Sequence, residues 1–261
     1  MLKNLYHHRY YLLGSFWTDF RFRYAGTALG LFWFIVNPLL EALLYSIVFS
    51  YLIGARSGGT RGVSYTLFLL VGLFPWFAFT HIITRGSNSL NISALYLRRL
   101  AISTDVFIAR EALISMFSLF IYILILIPVN LIFDNALSWN ILVVPALIFL
   151  FIAMGFGISL TLAHLRVFFP DVGEVLGVMV QLWRWTLPIN YSYDIFPDIL
   201  RSILILFNPP YYFITSFRDV FLERRLPSPE AWLHMIAWVL FFGMIGSFVS
   251  NRLGAEVKDQ M

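Results

Sequence analysis

The chain has 261 residues, of which 60% are apolar and only 12% charged; it contains no cysteine and its net charge is +4. Soluble domains carry about 25% charged residues, so a chain this poor in charge, with a mean hydropathy of +0.80, needs lipid rather than water as its solvent. Disulfides and thiolate metal sites are excluded, the small net charge gives no reason to expect nucleic acid, and one membrane bundle accounts for the length without a separate soluble domain.

Residues 1–30 lack a clean apolar h-region and carry Asp19, Arg21 and Arg23, so no signal peptide is expected. Within residues 4–24, Leu13, Phe16, Trp17 and Phe20 recur at the spacing of one helix face. Lys3, Arg9, Asp19, Arg21 and Arg23 supply polar positions, and Tyr6, Tyr10, Tyr11, Phe22 and Tyr24 add interfacial aromatics. The pattern predicts an amphipathic helix in the cytoplasmic headgroup plane, with a lid helix packed on the bundle as the alternative. Gly26 and Gly30 follow as a small-xxx-small pair that permits close packing, within the chain or in a dimer.

A spanning helix needs about 20 mostly apolar residues, and six stretches are candidates: Leu31–Ile53, Thr66–Thr84, Leu113–Phe133, Leu142–Ala163, Val172–Leu187 and Ala231–Ser250. The third is expected to begin earlier, near Val106, and the fifth is short and interrupted. On the first, Phe34, Asn37 or Pro38, Glu41 and Tyr45 fall on one stripe. A carboxylate such as Glu41 is costly in lipid and should face the bundle or a wet path. Between the second and third spans, Arg85–Asp105 reads as a long loop, polar first and amphipathic later. Leu90, Leu97 and Leu100 are suited to dock a short helix on a partner with Arg98 and Arg99 facing acidic groups; a simple positive-inside anchor pair is the equal alternative.

The fifth stretch ends in Arg184-Trp-Thr-Leu-Pro-Ile-Asn-Tyr-Ser192, and the apolar pieces that follow, around Leu200–Phe207 and Tyr211–Phe221, are too short to cross a bilayer. Such a break points to polar passage. Arg184 either lines the path or snorkels to the headgroups. With the N-terminus inside, eleven Lys and Arg lie on the cytoplasmic side and seven outside, five of the seven in one long segment; both termini are therefore expected inside. Eight Trp and thirteen Tyr are plentiful for stacking on sugar rings, although interfacial belts use the same residues.

Catalytic sets are weak. His7, His8, His81, His164 and His234 form no H-E-x-x-H motif, and the only lysines, Lys3 and Lys258, lie outside any P-loop pattern. No catalytic residue, metal site or cofactor is expected in the chain, and ATP-driven work needs a partner that holds the ATP and Mg.

Five blocks carry a resemblance: RYAGTALGLFWFIVNP from Arg23 to Pro38, GLFPWF from Gly72, VFFPD from Val167, QLWRWTLPINY from Gln181 and NPPYYF from Asn208. In this order, over nearly the whole chain, they resemble the ABC-2 type permeases that export O-antigen, capsule and wall teichoic acid polymers. The resemblance implies an all-α, six-helix membrane subunit in the bacterial inner membrane. It also implies a homodimer bound to two copies of a separate ATP-binding cassette subunit and carrying a lipid-linked glycan. Residues 4–24 would be an interface helix, residues 86–104 a coupling segment seated through Arg85, Ser89, Leu90, Arg98 and Arg99, and residues 192–222 a re-entrant gate. The channel would be lined from the first and fifth helices by Trp33, Phe34, Asn37, Glu41, Tyr45, Gln181, Arg184 and Trp185. Pro188, Tyr191, Pro209, Tyr211 and Tyr212 would form the outer gate. Arg184 departs from the family, which often has an apolar aromatic there.

The function expected is export of an O-antigen or capsule type polysaccharide, with a wall teichoic acid exporter as the near alternative. A drug or small-lipid exporter is disfavoured because residues 54–65 are too short for a large outer domain. An ion-driven secondary transporter would need paired mid-membrane acidic or His relays, and Glu41 alone is thin support. A membrane-embedded enzyme lacks a clustered acid–base or metal set.

Overall fold

The computed structural model describes residues 2–23, 36–37, 39–41, 43–44, 47–48, 65–99 and 102–260. Most of the first expected span lies outside them, as do Gly26, Gly30, Trp33, Phe34, Tyr45 and Leu100. Among the described residues every regular element is helical. The N-terminal helices are α1 (Leu2–His7) and α2 (Arg9–Arg23); α3 (Tyr65–Ile92) and α4 (Ala94–Arg99) follow. Next come α5 (Thr104–Ile132), a 3-10 turn (Trp139–Val143) leading into α6 (Val144–Phe168), and α7 (Val172–Trp185). A second 3-10 turn (Tyr193–Ile195) precedes α8 (Asp198–Phe207), α9 (Tyr211–Phe221) and α10 (Pro229–Gln260).

Among the described residues, four helical segments are long and apolar enough to cross a membrane: α3, α5, the 3-10 turn with α6, and Pro229–Val257 of α10. They coincide with the second, third, fourth and sixth expected spans. The third begins at Thr104, as its early start near Val106 anticipates. Burial ranks them. The apolar window of α3 is 78% buried, against 17% for α10, so α3 is the central post and α10 a peripheral one. The main core gathers around α3, where Phe79 stacks on Phe151 at 4.6 Å and Phe151 on Phe213 at 4.7 Å. Pro75 inside α3 removes one helical hydrogen bond, which a largely buried helix tolerates because its neighbours hold it.

α6 and α10 approach to backbone contact. A Cβ at Gly157 would stand 2.6 Å from the Phe242 carbonyl carbon, and one at Gly246 would stand 2.5 Å from the Gly157 carbonyl oxygen. Helices in lipid associate through such small residues because van der Waals contact replaces the hydrophobic drive. Gly157→Val must therefore separate the pair. The expected outcome is a loss of about 1–3 kcal/mol, the usual cost of overpacking, read as a lower melting temperature in detergent.

A second cluster sits at the other end of α3. There Leu90, Leu97, Val106, Phe107, Leu160, Ala163 and Val257 are buried together, with Leu5, Tyr11 and Leu12 of the N-terminal helices against them. This revises the expected loop at Arg85–Asp105. α3 runs on to Ile92, because Ser87 and Ser89 donate to the Thr84 and Gly86 carbonyls at 2.9 and 2.7 Å and so satisfy themselves within the helix. Leu90 and Leu97 dock α4 on its own bundle rather than on a partner. Arg85 is exposed, Ser89 is buried, and the Arg98 and Arg99 side chains lie outside the described residues. Ile92, Leu95 and Tyr96 are the large exposed apolar side chains of this corner.

The N-terminal stripe divides in the structure. Tyr11 and Phe16 meet Phe107 and Phe117 of α5 edge-on, and Asp19 approaches Arg110 at 3.9 Å. Tyr6, Tyr10, Leu13 and Trp17 point away and are exposed. One face of α2 thus packs on the bundle while another presents aromatics outward. At the same end, Asp105 accepts from Ser250 Oγ and from Ser103 Oγ, and buried His164 meets Thr104 Oγ1 at 3.1 Å. These polar contacts tie the start of α5 to α6 and α10.

Candidate functional site at the broken segment

α7 has 14 residues, about 21 Å at 1.5 Å per residue, and falls short of about 30 Å of hydrocarbon. Its end is built by the sequence itself. Thr186 and Leu187 N–H donate to the Trp183 and Arg184 carbonyls in tightening turns, and Pro188 has no N–H with which to continue. α8 and α9, of 10 and 11 residues, are shorter still. They have opposite characters. α8 leaves Ile199, Leu200, Ile203, Leu206 and Phe207 exposed, whereas α9 buries Tyr212, Phe213, Ile214, Phe217 and Phe221 in the bundle.

Arg218 of α9 holds the break. It donates to the Ile189 carbonyl at 2.9 Å and to the Pro188 carbonyl, and its guanidinium lies 3.6 Å from the centre of the Phe68 ring. The two carbonyls belong to the turn that follows α7, past the hydrogen-bond ladder of the helix itself. Burial pulls the guanidinium below the usual arginine value, to about 9, against the opposing pull of Tyr65 and Tyr211, so it stays cationic at neutral pH. Tyr65 Oη donates to the Asn190 carbonyl at 3.0 Å. The turn at 188–190 is therefore fastened to both α3 and α9.

A second fastening comes from buried Asn208, ahead of α9. Its amide donates to the Thr186 carbonyl and Oγ1 at 3.1 Å each and its carbonyl accepts from Trp183 Nε1 at 2.8 Å. Asn208→Leu keeps the branched shape of the side chain but removes these three hydrogen bonds. At about 1 kcal/mol for each hydrogen bond lost, the expected outcome is 2–3 kcal/mol (roughly, on the same scale) of destabilisation, with faster protease cleavage between 186 and 210.

The residues expected at an outer gate converge here. Tyr191 Oη donates to the Trp185 carbonyl and Tyr193 Oη to the Thr186 carbonyl. Tyr191 stacks with Tyr193 at 6.4 Å, Tyr193 with Tyr211 at 5.0 Å, and Tyr212 with His234 of α10 at 4.3 Å. Pro188 and Pro209 are buried beside them. Burial raises the tyrosine hydroxyls Tyr191, Tyr193 and Tyr211 above their ordinary value, which keeps them as donors.

Arg184 and Glu41, 143 positions apart, meet in an ion pair at 3.2 Å. The Arg184 side chain is 15% exposed and that of Glu41 43%. Arg184 thus turns toward the first expected span rather than simply outward. Gln181 and Trp185 are exposed, as is Asn37. Along α7, Val175, Val178, Met179, Leu182 and Trp185 form an exposed stripe at helical spacing.

Arg218, Asn208, Trp183 and Tyr193 escape a reading by composition. Arg218 sits in an outer segment rich in arginine and passes as one of its charges. The signal available is its place inside the short apolar run Tyr211–Phe221, where an ionisable group calls for a partner.

No family model matches the chain. An O-antigen export system permease protein of Myxococcus xanthus is 22% identical over 255 residues, covering 97% of this chain and 96% of that protein. A Klebsiella pneumoniae protein of the same description is 28% identical over 246 residues, covering 92% and 89%. A polysialic acid transport protein of Escherichia coli is 25% identical over 247 residues, covering 94% and 93%. Along nearly its whole length, the chain is similar to membrane permeases of polysaccharide export systems, the group that its sequence motifs resemble.

Proposed function

We propose that the chain is the membrane subunit of an ATP-driven exporter that moves a lipid-linked polysaccharide, of O-antigen or capsule type, from the cytoplasm to the outer face. The observation that carries this reading is the match to O-antigen export permeases over nearly the full length of both proteins. The geometry supports it. An interrupted helix, an ion pair within the bundle and a corner of stacked tyrosines are what a polar polymer needs at the mouth of a path through lipid.

In this reading the subunit has six spans, Leu31–Ile53 and α7 included, with both termini cytoplasmic. α1 and α2 form the interface helix, and α8 and α9 the re-entrant gate. Two copies assemble as a homodimer, and the exposed apolar stripe of α7 supplies a surface that a second copy would cover. Trp33, Phe34, Asn37, Glu41, Tyr45, Gln181, Arg184 and Trp185 face the path. A separate ATP-binding cassette subunit, two copies with their ATP and Mg, seats at the corner of α3 and α4. There the exposed Arg85, Ile92, Leu95 and Tyr96 are better placed for contact than buried Ser89 and Leu90. Nucleotide-driven closure of the partner pushes that corner, and the gate opens at the opposite end of α3.

Deletion of the chain in its host tests the reading. Lipid-linked polymer should accumulate on the cytoplasmic side while synthesis continues. Unchanged display of every surface polysaccharide would overturn it.

A further inference from the structure

Resting on the exporter reading, we infer that the gate carries a binding pocket for an uncharged sugar unit of the exported glycan, between α8, α9 and the start of α10. A cavity of about 340 Å³ opens there, at the low end of the roughly 300–1,000 Å³ found for small-ligand sites and suited to a sugar unit rather than a length of polymer. Tyr193, Tyr211 and Tyr212 line one side. Tyr193 and Tyr211 are stacked with 18° between their planes, and Tyr212 meets Tyr211 at 85°, so the rings make a corner. Aromatic faces bury the C–H face of a sugar while its hydroxyls keep polar partners.

The rest of the lining decides the ligand's charge. Arg201, Arg218 and Arg225 bring three cations, and Asp194, Asp219 and Glu223 bring three carboxylates. Two of the pairs are closed: Arg201 with Asp194 at 3.2 Å and Arg225 with Asp219 at 2.6 Å. Arg218 is committed to backbone carbonyls. A wall of balanced donors and acceptors suits hydroxyl groups and has no net field to draw a phosphate or a carboxylated sugar. A larger cavity, about 740 Å³ among α2, α5, α6 and α10, is lined almost wholly by apolar side chains such as Leu12, Met116, Phe156 and Met244. The polar gate pocket is therefore distinct in kind from a lipid-filled groove.

The test uses the chain with its ATPase partner in nanodiscs and saturation-transfer NMR. Maltohexaose, mannohexaose and galactohexaose serve as neutral probes and sialyllactose as the acidic one. At least one neutral probe should bind saturably and more tightly than sialyllactose. Binding should weaken about tenfold in the Arg201→Gln/Glu223→Gln variant, which removes exposed groups worth one or two charged hydrogen bonds. The proposal is overturned if no neutral probe binds, if the variant binds equally, if sialyllactose is preferred, or if native mass spectrometry finds a phospholipid that the variant alone loses. A wild-type complex that exports polymer yet fails these tests removes the pocket and leaves the exporter standing. One that exports nothing on ATP removes both.

Discussion

Arg218→Leu is expected to abolish export and to destabilise the protein by about 2–4 kcal/mol. Two effects oppose each other. Losing a buried guanidinium relieves its desolvation, but two buried carbonyls are left without donors at about 1–3 kcal/mol each, and the contact with Phe68 is lost as well. The orphaned carbonyls win, because in the native protein the guanidinium already exchanges water for the Pro188 and Ile189 oxygens. Arg218→Lys retains the charge but not the planar fork that spans two carbonyls, so partial stability with export below about a tenth is expected. Thermal unfolding in detergent and surface-polymer assays read the two effects separately. Wild-type export by Arg218→Leu at normal membrane levels would show that the break does not depend on this residue.

The Arg184–Glu41 pair gives the second large effect. Arg184→Glu places two carboxylates where an ion pair at 3.2 Å now stands, and export should fall about a hundredfold, as should export by Glu41→Arg, because a bared charge in an apolar bundle is strongly unfavourable. The exchange variant carrying both substitutions should recover at least about tenfold of that loss, the coupling expected of residues in direct contact. The pair also bears on cargo charge. An arginine already neutralised by Glu41 offers less to an anionic polymer than its sequence position suggests. If the exchange variant is no better than either single one, Arg184 acts on something other than Glu41.

Much of this architecture is legible in the sequence because lipid imposes a simple rule. Uninterrupted apolar runs of sufficient length became α3, α5, α6 and α10 nearly where hydropathy places them. Polar residues that satisfy themselves defeat the same rule. Ser87 and Ser89 resemble loop residues, yet their hydroxyls return to carbonyls of their own helix and α3 continues. The apolar spacing of Leu90 and Leu97 is real, but spacing cannot say which surface a face will meet; here it is the protein's own core. At the broken segment, the sequence marks the break through Pro188 and the short runs after it. The groups that hold it closed, Arg218 and Asn208, lie 22 to 30 residues downstream of their partners, and a contact of that kind leaves no local pattern. Glu41 and Arg184 are each conspicuous as charges in apolar runs, while their pairing across 143 positions is a property of the fold alone.

On the exporter reading, the motor that drives this chain is another protein. Mild detergent purification of the tagged chain from its host tests it most directly. An ATPase of separate sequence should come with it in equal amounts and hydrolyse ATP, and the complex should move lipid-linked polymer in proteoliposomes only when ATP is supplied. A chain that purifies alone and conducts its cargo without nucleotide would contradict it.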